Sequence, residues 1–348
     1  MENTVSDAAS FIPWSAPDWT PAVHAWIRDT LDGLDIQVTG PVETVHLKTW
    51  SAVLRAPTTS GTVYFKATSP TFAHEPALTS VLAHLMPEQT PDVLGTDVEK
   101  GWLLMRDAGP ALRAQATGDD LLDLWEEVLP HLAALQQLAA PRSEQLLALG
   151  VPDRRPSTLP SLFARLLDDP NALLVGQEDG LIEGDLQEAQ RRLAEFDLLC
   201  AELEGSPVPH SIHHDDFHDG NVFSLGRGHV VFADWAESAV AHPFCTLTVG
   251  LRSMAYRANL PEHAPRIQRL TDRYLEPWTS HADLPTLRNT LFLARRAGRV
   301  MRALTWHTLV SSLPDEARHA DAGSVPGWVE VYLEGERTSE SQPAAAQP

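Results

Sequence analysis

The order of predicted strands and helices constrains the fold of this chain more than any other feature. Residues 42–105 read mostly as β-strands, and the run TVYFKA at 62–67 is the richest in β-branched and aromatic residues. One helical segment, from about residue 75 to 86, interrupts the strands, with leucines at helical spacing. Beyond Arg106 the pattern turns helical. This segregation predicts an α+β fold rather than alternating βαβ units.

The length of 348 residues fits two lobes. We expect an N-terminal lobe over 1–106, with a small antiparallel sheet, one helix and a helical extension over 1–40. The larger, mainly helical C-terminal lobe should cover 107–334. Residues 335–348 are small, polar and Pro-containing, and are expected to form a disordered tail.

Charge and composition narrow the possible partners. The chain holds 26 Lys+Arg against 47 Asp+Glu, a net charge of −21, which disfavours binding to phosphate backbones and anionic membranes. Cys200 and Cys245 form no C-x-x-C pair, and no signal peptide or long apolar stretch occurs. We expect a cytoplasmic monomer or homodimer with no nucleic-acid or membrane partner.

The stretch HHDDFHDGNVF at 213–223 carries the densest chemistry. Asp216 is followed five residues later by Asn221, and thirteen further on by Asp234, at the end of a short apolar strand. Phosphoryl transfer from ATP·Mg²⁺ needs an aspartate to orient the attacking hydroxyl and oxygen ligands for the metal. With His214, the set matches the protein-kinase catalytic loop H-x-D-x4-N. The spacing therefore indicates a kinase-type site.

Other residues fall where such a site needs them. Lys66 lies in the third predicted strand, a position suited to holding phosphates, and Glu75 could pair with it from the next helix. The strand ending near Met105 leaves backbone groups that could hydrogen-bond adenine.

Together these motifs resemble the aminoglycoside phosphotransferase/choline kinase family, over roughly residues 40–260. The family loop usually reads H-G-D-x-H-x-x-N, followed by a strand ending in D-W or D-F. The matching residues are His214, Asp216, His218, Asn221, Asp234 and Trp235. The resemblance implies a bilobal protein-kinase-like fold and an enzyme that uses ATP or GTP with Mg²⁺. It also implies phosphate transfer to a hydroxyl of a small molecule, such as an aminoglycoside-like compound.

The resemblance also implies roles for individual residues. Asp216 would be the catalytic base, with His214 making structural hydrogen bonds in the catalytic set. Asn221 and Asp234 would bind Mg²⁺. The residues expected to bind the nucleotide are Lys66, Glu75, Thr49, Ser51, Met105, Arg106, Ala108 and Phe223, with adenine on the backbones of Arg106 and Ala108.

This sequence departs from the family pattern at three places. Asp215 replaces the glycine of the loop and puts a second carboxylate beside the catalytic one. The expected phosphate loop, 47–51, contains no glycine, so Thr49 and Ser51 would have to serve. Thr246 stands where the family often has a bracing aspartate.

Three alternatives stay open from sequence. One is a metabolite kinase for an amino alcohol or sugar, and another is a catalytically silent, kinase-shaped nucleotide-binding module. The third is a zinc site built from the histidines His210, His213, His214 and His218. The acceptor is also undecided, because the acidic stretch 178–216 favours a cation. In contrast, the arginine stripe of Arg288, Arg295, Arg299 and Arg302 favours an anion.

Overall fold

A computed structural model describes residues 12–226, 228–313 and 321–341. Its N-terminal lobe contains a five-stranded antiparallel sheet with strand order β1-β2-β3-β5-β4. The strands are β1 (Glu43–Leu47), β2 (Ser51–Thr58), β3 (Gly61–Thr68), β4 (Val93–Asp97) and β5 (Trp102–Arg106). Helix α1 (Trp19–Asp32) precedes the sheet and α2 (Glu75–Leu85) follows β3. The predicted antiparallel sheet with one inserted helix is confirmed.

The core of this lobe lies between α1 and the sheet. Val23, Ile27 and Leu31 recur every four residues along α1 and are fully buried. They pack with Phe65 and Leu104 from the central strands in one hydrophobic cluster. The helical extension is therefore part of the lobe's core.

The C-terminal lobe is mainly helical and surrounds a separate, larger core. Its helices are α3 (Leu112–Gln115), α4 (Gly118–Ala139), α5 (Ser143–Ala148), α6 (Leu159–Leu167), α7 (Glu183–Arg191), α8 (Leu193–Glu204), α9 (Leu247–Ala258), α10 (Pro265–Leu275), α11 (Leu284–Ser311) and α12 (Ser324–Ser341). The apolar residues that recur at helical spacing over 186–203 are divided between α7 and α8. Pro130 lies inside α4 without ending it.

Two short antiparallel strand pairs hold the motif-bearing loops. They are β6 (Ser211–His213) with β9 (Ala239–Ala241), and β7 (Val222–Gly226) with β8 (His229–Phe232). The catalytic-loop motif connects β6 to β7, and Asp234 follows β8. Both motif segments are thereby anchored at strand ends. None of the helices in the described ranges is long and apolar enough to cross a bilayer.

The predicted disordered tail from residue 335 is wrong for its first part, because α12 continues to Ser341. Glu336 is buried and forms an ion pair with Arg296, and Arg337 pairs with Glu188 of α7. The polar composition of the tail gave no sign of these tertiary contacts. Residues 342–348, and residues 1–11 of the N-terminal extension, lie outside the described residues.

Candidate active site

Three predicted site residues meet between the lobes. Lys66 Nζ in β3 lies 2.7 Å from Glu75 Oε1 at the start of α2, so the predicted pairing is present. The same ammonium lies 2.6 Å from Asp234 Oδ1, which is 168 residues away in the other lobe. The lysine is buried, while the side chain of Asp234 remains 47% exposed. Asp234 therefore closes the ion pair and still faces the space between the lobes.

The electrostatics of this group keep Lys66 charged. Burial lowers the pKa of Lys66, but the carboxylates of Asp234 and Glu75 outweigh burial and raise that pKa above its ordinary value. Burial raises the pKa of Glu75, and Lys66 only partly offsets this effect. A fixed positive charge at this position suits a bound phosphate.

Lys66 opens onto a cleft of about 300 Å³ between the lobes. Predicted nucleotide residues from both lobes line it, including Met105, Ala108 and Phe223. Its other lining residues include Val45, His46, Val53, Tyr64, Leu103, Arg106, Gly220, Asn221 and Ala233. An apolar cleft with a few polar groups at one end is the usual form of a small-molecule site.

The connection between the lobes presents backbone groups to this cleft. The N–H of Arg106 donates to the Asp92 carbonyl at 2.9 Å, and its side chain pairs with the same aspartate. Among the described residues no acceptor takes the N–H of Ala108. An unpaired backbone donor at the cleft wall can bind a purine ring. Arg106 and Ala108 both line the cleft, and the role of their backbones in adenine binding stays a prediction.

The glycine-free turn between β1 and β2 does not contribute its predicted phosphate-binding residues to the cleft. The Lys48 N–H donates to the Ser51 carbonyl at 2.8 Å and closes a tight turn. Ser51 is buried, with its hydroxyl 3.5 Å from His46 Nε2, and neither Thr49 nor Ser51 lines the cleft. Trp50 at the turn instead meets Trp306 of α11, with ring centroids 6.3 Å apart. The phosphate-binding role of Thr49 and Ser51 stays a prediction.

Asp216 is held by contacts to both of its carboxylate oxygens. Oδ1 accepts from Arg302 Nη2 at 2.9 Å. Oδ2 lies 3.1 Å from Asn221 Nδ2 and 3.3 Å from His218 Nε2. Burial raises the pKa of Asp216, but Arg302 and His218 outweigh it and hold that pKa well below its ordinary value. Asp216 is therefore ionised at neutral pH and fixed in one orientation.

Arg302 is the buried centre of a carboxylate cluster. Besides Asp216 it pairs with Glu237, and Asp215 Oδ2 lies 3.6 Å away. Only 5% of its surface is exposed. Burial raises the pKa of Glu237 to about 7 even though Arg302 opposes the shift. One arginine thus balances three carboxylates, including the Asp215 that replaces the family's glycine.

The histidines beneath the loop are structural. His214 Nε2 lies 3.0 Å from the Ala233 carbonyl, and burial lowers its pKa to about 4, so it stays neutral. His213 bridges Asp215 and the Thr246 hydroxyl, each at 3.0 Å. The same hydroxyl accepts the backbone N–H of His214 at 3.1 Å. Thr246 therefore braces the catalytic loop from the place where the family often has an aspartate.

The donor set near Asp234 fits a magnesium ion better than zinc. Asp234 has φ 65°, a left-handed backbone that turns its carboxylate out of the β8 direction and into the cleft. Asn221 lines the same cleft and uses its amide nitrogen for Asp216, which leaves its carbonyl oxygen for a cation. Within the described ranges no group of three or more His, Cys, Asp or Glu side chains is arranged around a metal site. Mg²⁺ bound with a nucleotide needs few protein ligands, because phosphates and water supply the rest.

The sequence does not predict the placement of Arg302 and Glu237 around Asp216. Arg302 is visible in the sequence only as one of a stripe of arginines, and Glu237 belongs to none of the motifs. Arg302 lies 86 residues from Asp216. Its helical spacing showed that it shares a face with other arginines but could not show what that face meets.

Part of each of the two opposing charge patterns is paired within the molecule. In the acidic stretch, Asp185 and Glu188 pair with Arg337, and Glu188 also pairs with Arg192. In the arginine stripe, Arg288 pairs with Asp272, and Arg302 holds the catalytic loop. These residues therefore do not identify the charge of the acceptor.

No protein-family model matches the chain, and no curated protein matches it either. Solved structures do match. Choline kinase from Cryptosporidium parvum Iowa II has a TM-score of 0.61 at 12% identity, over 93% of this chain and 97% of that one. Plasmodium vivax ethanolamine kinase gives 0.57 at 11% identity, over 85% and 83%. A macrolide 2'-phosphotransferase from Brachybacterium faecium gives 0.56 at 14% identity, over 86% and 97%.

These likenesses establish the fold. The chain has the bilobal, protein-kinase-like architecture of small-molecule kinases, as the sequence predicts. The match extends over nearly the whole length of the solved choline kinase and macrolide phosphotransferase, so both lobes are shared.

Proposed function

We propose that the protein is a small-molecule kinase that transfers the γ-phosphate of ATP or GTP to a hydroxyl group. One observation carries this proposal: Lys66 of the N-terminal lobe contacts Glu75 and Asp234 at once, and all three residues line the cleft. An isolated buried lysine would need one counter-charge, whereas Lys66 has one from each lobe. A lysine in this position, in a cleft that Asn221 also lines, is suited to holding the phosphates of a nucleotide.

Each of the predicted residues in the cleft has a separate proposed role. Lys66 would hold the phosphates, and the backbones of Arg106 and Ala108 would hold the base. Asn221 and Asp234 would bind Mg²⁺, which neutralises phosphate charge when present. The presence of all these residues in the lining of the cleft supports the proposed roles.

Asp216 would orient the acceptor hydroxyl. Its lowered pKa makes it a weak base, so positioning and electrostatics should contribute more than proton abstraction. Arg302, His218 and Asn221 fix its carboxylate in one place before the acceptor arrives. This rigidity supports a group that positions its substrate.

A second candidate is a catalytically silent nucleotide-binding module. The tight, glycine-free turn at Thr49–Ser51 and the engagement of Asp216 by Arg302 favour it. Such a module would bind nucleotide without forming a product.

Thermal unfolding with ATP or GTP, with and without Mg²⁺, tests the nucleotide site. A ligand that binds only the folded state raises stability by mass action, by about 2.7 kcal/mol at a hundred times its Kd. We expect a Mg²⁺-dependent rise in Tm that Lys66→Met abolishes and Asp216→Asn retains. Absence of any rise at millimolar nucleotide would refute the proposal.

A product assay then separates the two candidates. ADP release is measured with choline, ethanolamine, a macrolide, an aminoglycoside and simple sugars as acceptors. For a kinase, one acceptor accelerates ADP release and Asp216→Asn removes the acceleration. Nucleotide binding without acceleration by any of these classes would favour the silent module.

A further inference from the structure

A groove on the C-terminal lobe collects positive charge outside the nucleotide cleft. It lies between α9, α11 and α12, has a volume of about 420 Å³, and is lined by Arg252, Arg295 and Arg299. We call it the arginine groove. The chain as a whole carries a net charge of −21, so three arginines around one small cavity contrast with the rest of the surface.

The carboxylates near this groove leave hydrogen-bond donors unused. Arg295 pairs with Glu262, yet its Nε is buried and has no hydrogen-bond partner in the described part of the chain. Arg299 forms no ion pair or hydrogen bond with any described residue. Burial and the charge of Arg295 lower the pKa of Arg299, and the carboxylates of Glu262 and Glu336 only partly offset this effect. Glu334, the other carboxylate lining the groove, is exposed on α12.

Other arginines of α11 are paired with carboxylates. Arg288 makes a two-point contact with Asp272, at 2.9 and 2.8 Å. Arg302 is surrounded by carboxylates. The incomplete pairing is therefore particular to the arginine groove and not a property of α11.

An apolar extension adjoins the groove. A second cavity of about 530 Å³ shares Arg252, Glu262 and Trp328 with it and is lined by Val249, Leu260 and Tyr256. Tyr256 is 84% exposed. The Arg252 guanidinium lies 5.8 Å from the centre of the Trp328 ring, at the junction of the two cavities. Cationic and aromatic surfaces thus meet in one continuous depression.

We propose that the arginine groove binds a small organic anion, with its phosphate or carboxylate between Arg295 and Arg299. The aromatic or apolar body of the anion lies against Trp328 and Tyr256. Guanidinium groups bind such oxyanions through paired, charge-assisted hydrogen bonds. The proposal does not depend on the proposed kinase activity, because none of these residues touches the nucleotide cleft.

Calorimetric titration with phenyl phosphate and with phenylacetate tests this site and distinguishes the two headgroups. We expect saturable binding of at least one probe, weakened roughly tenfold or more by Arg299→Gln, because a charge-assisted hydrogen bond is lost. Arg288→Gln is the matched control and should bind as the wild type does. Lys66→Met should also bind normally, whereas a probe in the nucleotide cleft would lose affinity there.

A conservative variant and a smaller ligand test whether a loss of binding is specific to the groove. Arg299→Lys keeps the charge and should bind with intermediate affinity. Inorganic phosphate should bind the wild type more weakly than phenyl phosphate does, because it has no ring to lie against Trp328. Trp328→Ala should therefore reduce the difference in affinity between these two ligands. The proposal is overturned if neither probe binds saturably, or if a folded Arg299→Gln variant binds both probes as the wild type does. Loss of binding in a folded Lys66→Met variant would also overturn it.

Discussion

Replacing Arg302 by glutamine should destabilise the protein strongly. Removing one partner of a buried ion pair costs about 3–5 kcal/mol, because the remaining charge is left uncompensated. Here the loss should fall near 3 kcal/mol. Glu237 can take up a proton, since its pKa is about 7, and Asp216 keeps its contacts to His218 and Asn221. Urea unfolding at pH 7 measures the free energy of unfolding of both proteins.

The loss of stability in Arg302→Gln should be larger at neutral pH than at acidic pH. The lowered pKa of Asp216 in the folded protein means that its ionisation stabilises the fold above its unfolded pKa, about 4. That stabilisation is lost as the pH falls through the folded-state pKa. Arg302 is the largest of the charges that lower this pKa. The difference in free energy of unfolding between wild type and variant should therefore be widest near pH 7 and narrow below about pH 4.

Two variants serve as controls. Arg288→Gln breaks an exposed pair on the same helix and should cost no more than about 1 kcal/mol. Adding Glu237→Gln to Arg302→Gln removes one stranded carboxylate and should recover part of the stability. If Arg302→Gln unfolds with the free energy of the wild type, Arg302 does not compensate a buried carboxylate cluster.

Three further outcomes are expected. Thr246→Val should lower the free energy of unfolding in urea by about 1–3 kcal/mol, because the buried backbone N–H of His214 loses its acceptor. Gly298→Ala should cost a similar amount in thermal unfolding, about 1–3 kcal/mol, since an added Cβ would overlap Thr248 Oγ1; an unchanged Tm would contradict the close packing. Titration of Glu237 should produce an inflection near pH 7 in the rate of ADP release, and an inflection that survives Glu237→Gln would have another source.

Local patterns predicted much of the fold. Strand and helix periods in residues 42–106 reflect side-chain contacts between near neighbours in the sequence, and they gave the sheet and the inserted helix α2. The pattern failed where distant contacts decide the outcome. The polar segment after Gly335 is helical because its arginine and glutamate side chains meet partners on other helices.

The residue spacing alone predicts the type of site, because the catalytic-loop motif is a short continuous segment. The motifs include Asp216, Asn221 and Asp234, and the strand and helix patterns suggest Lys66 with Glu75. How these charges are balanced depends on contacts between distant parts of the chain. The lysine also binds Asp234 across the lobes, and a single buried arginine from α11 holds the carboxylate cluster. Such pairings depend on how whole helices pack, and packing brings together residues whose separation along the chain carries no periodic signal.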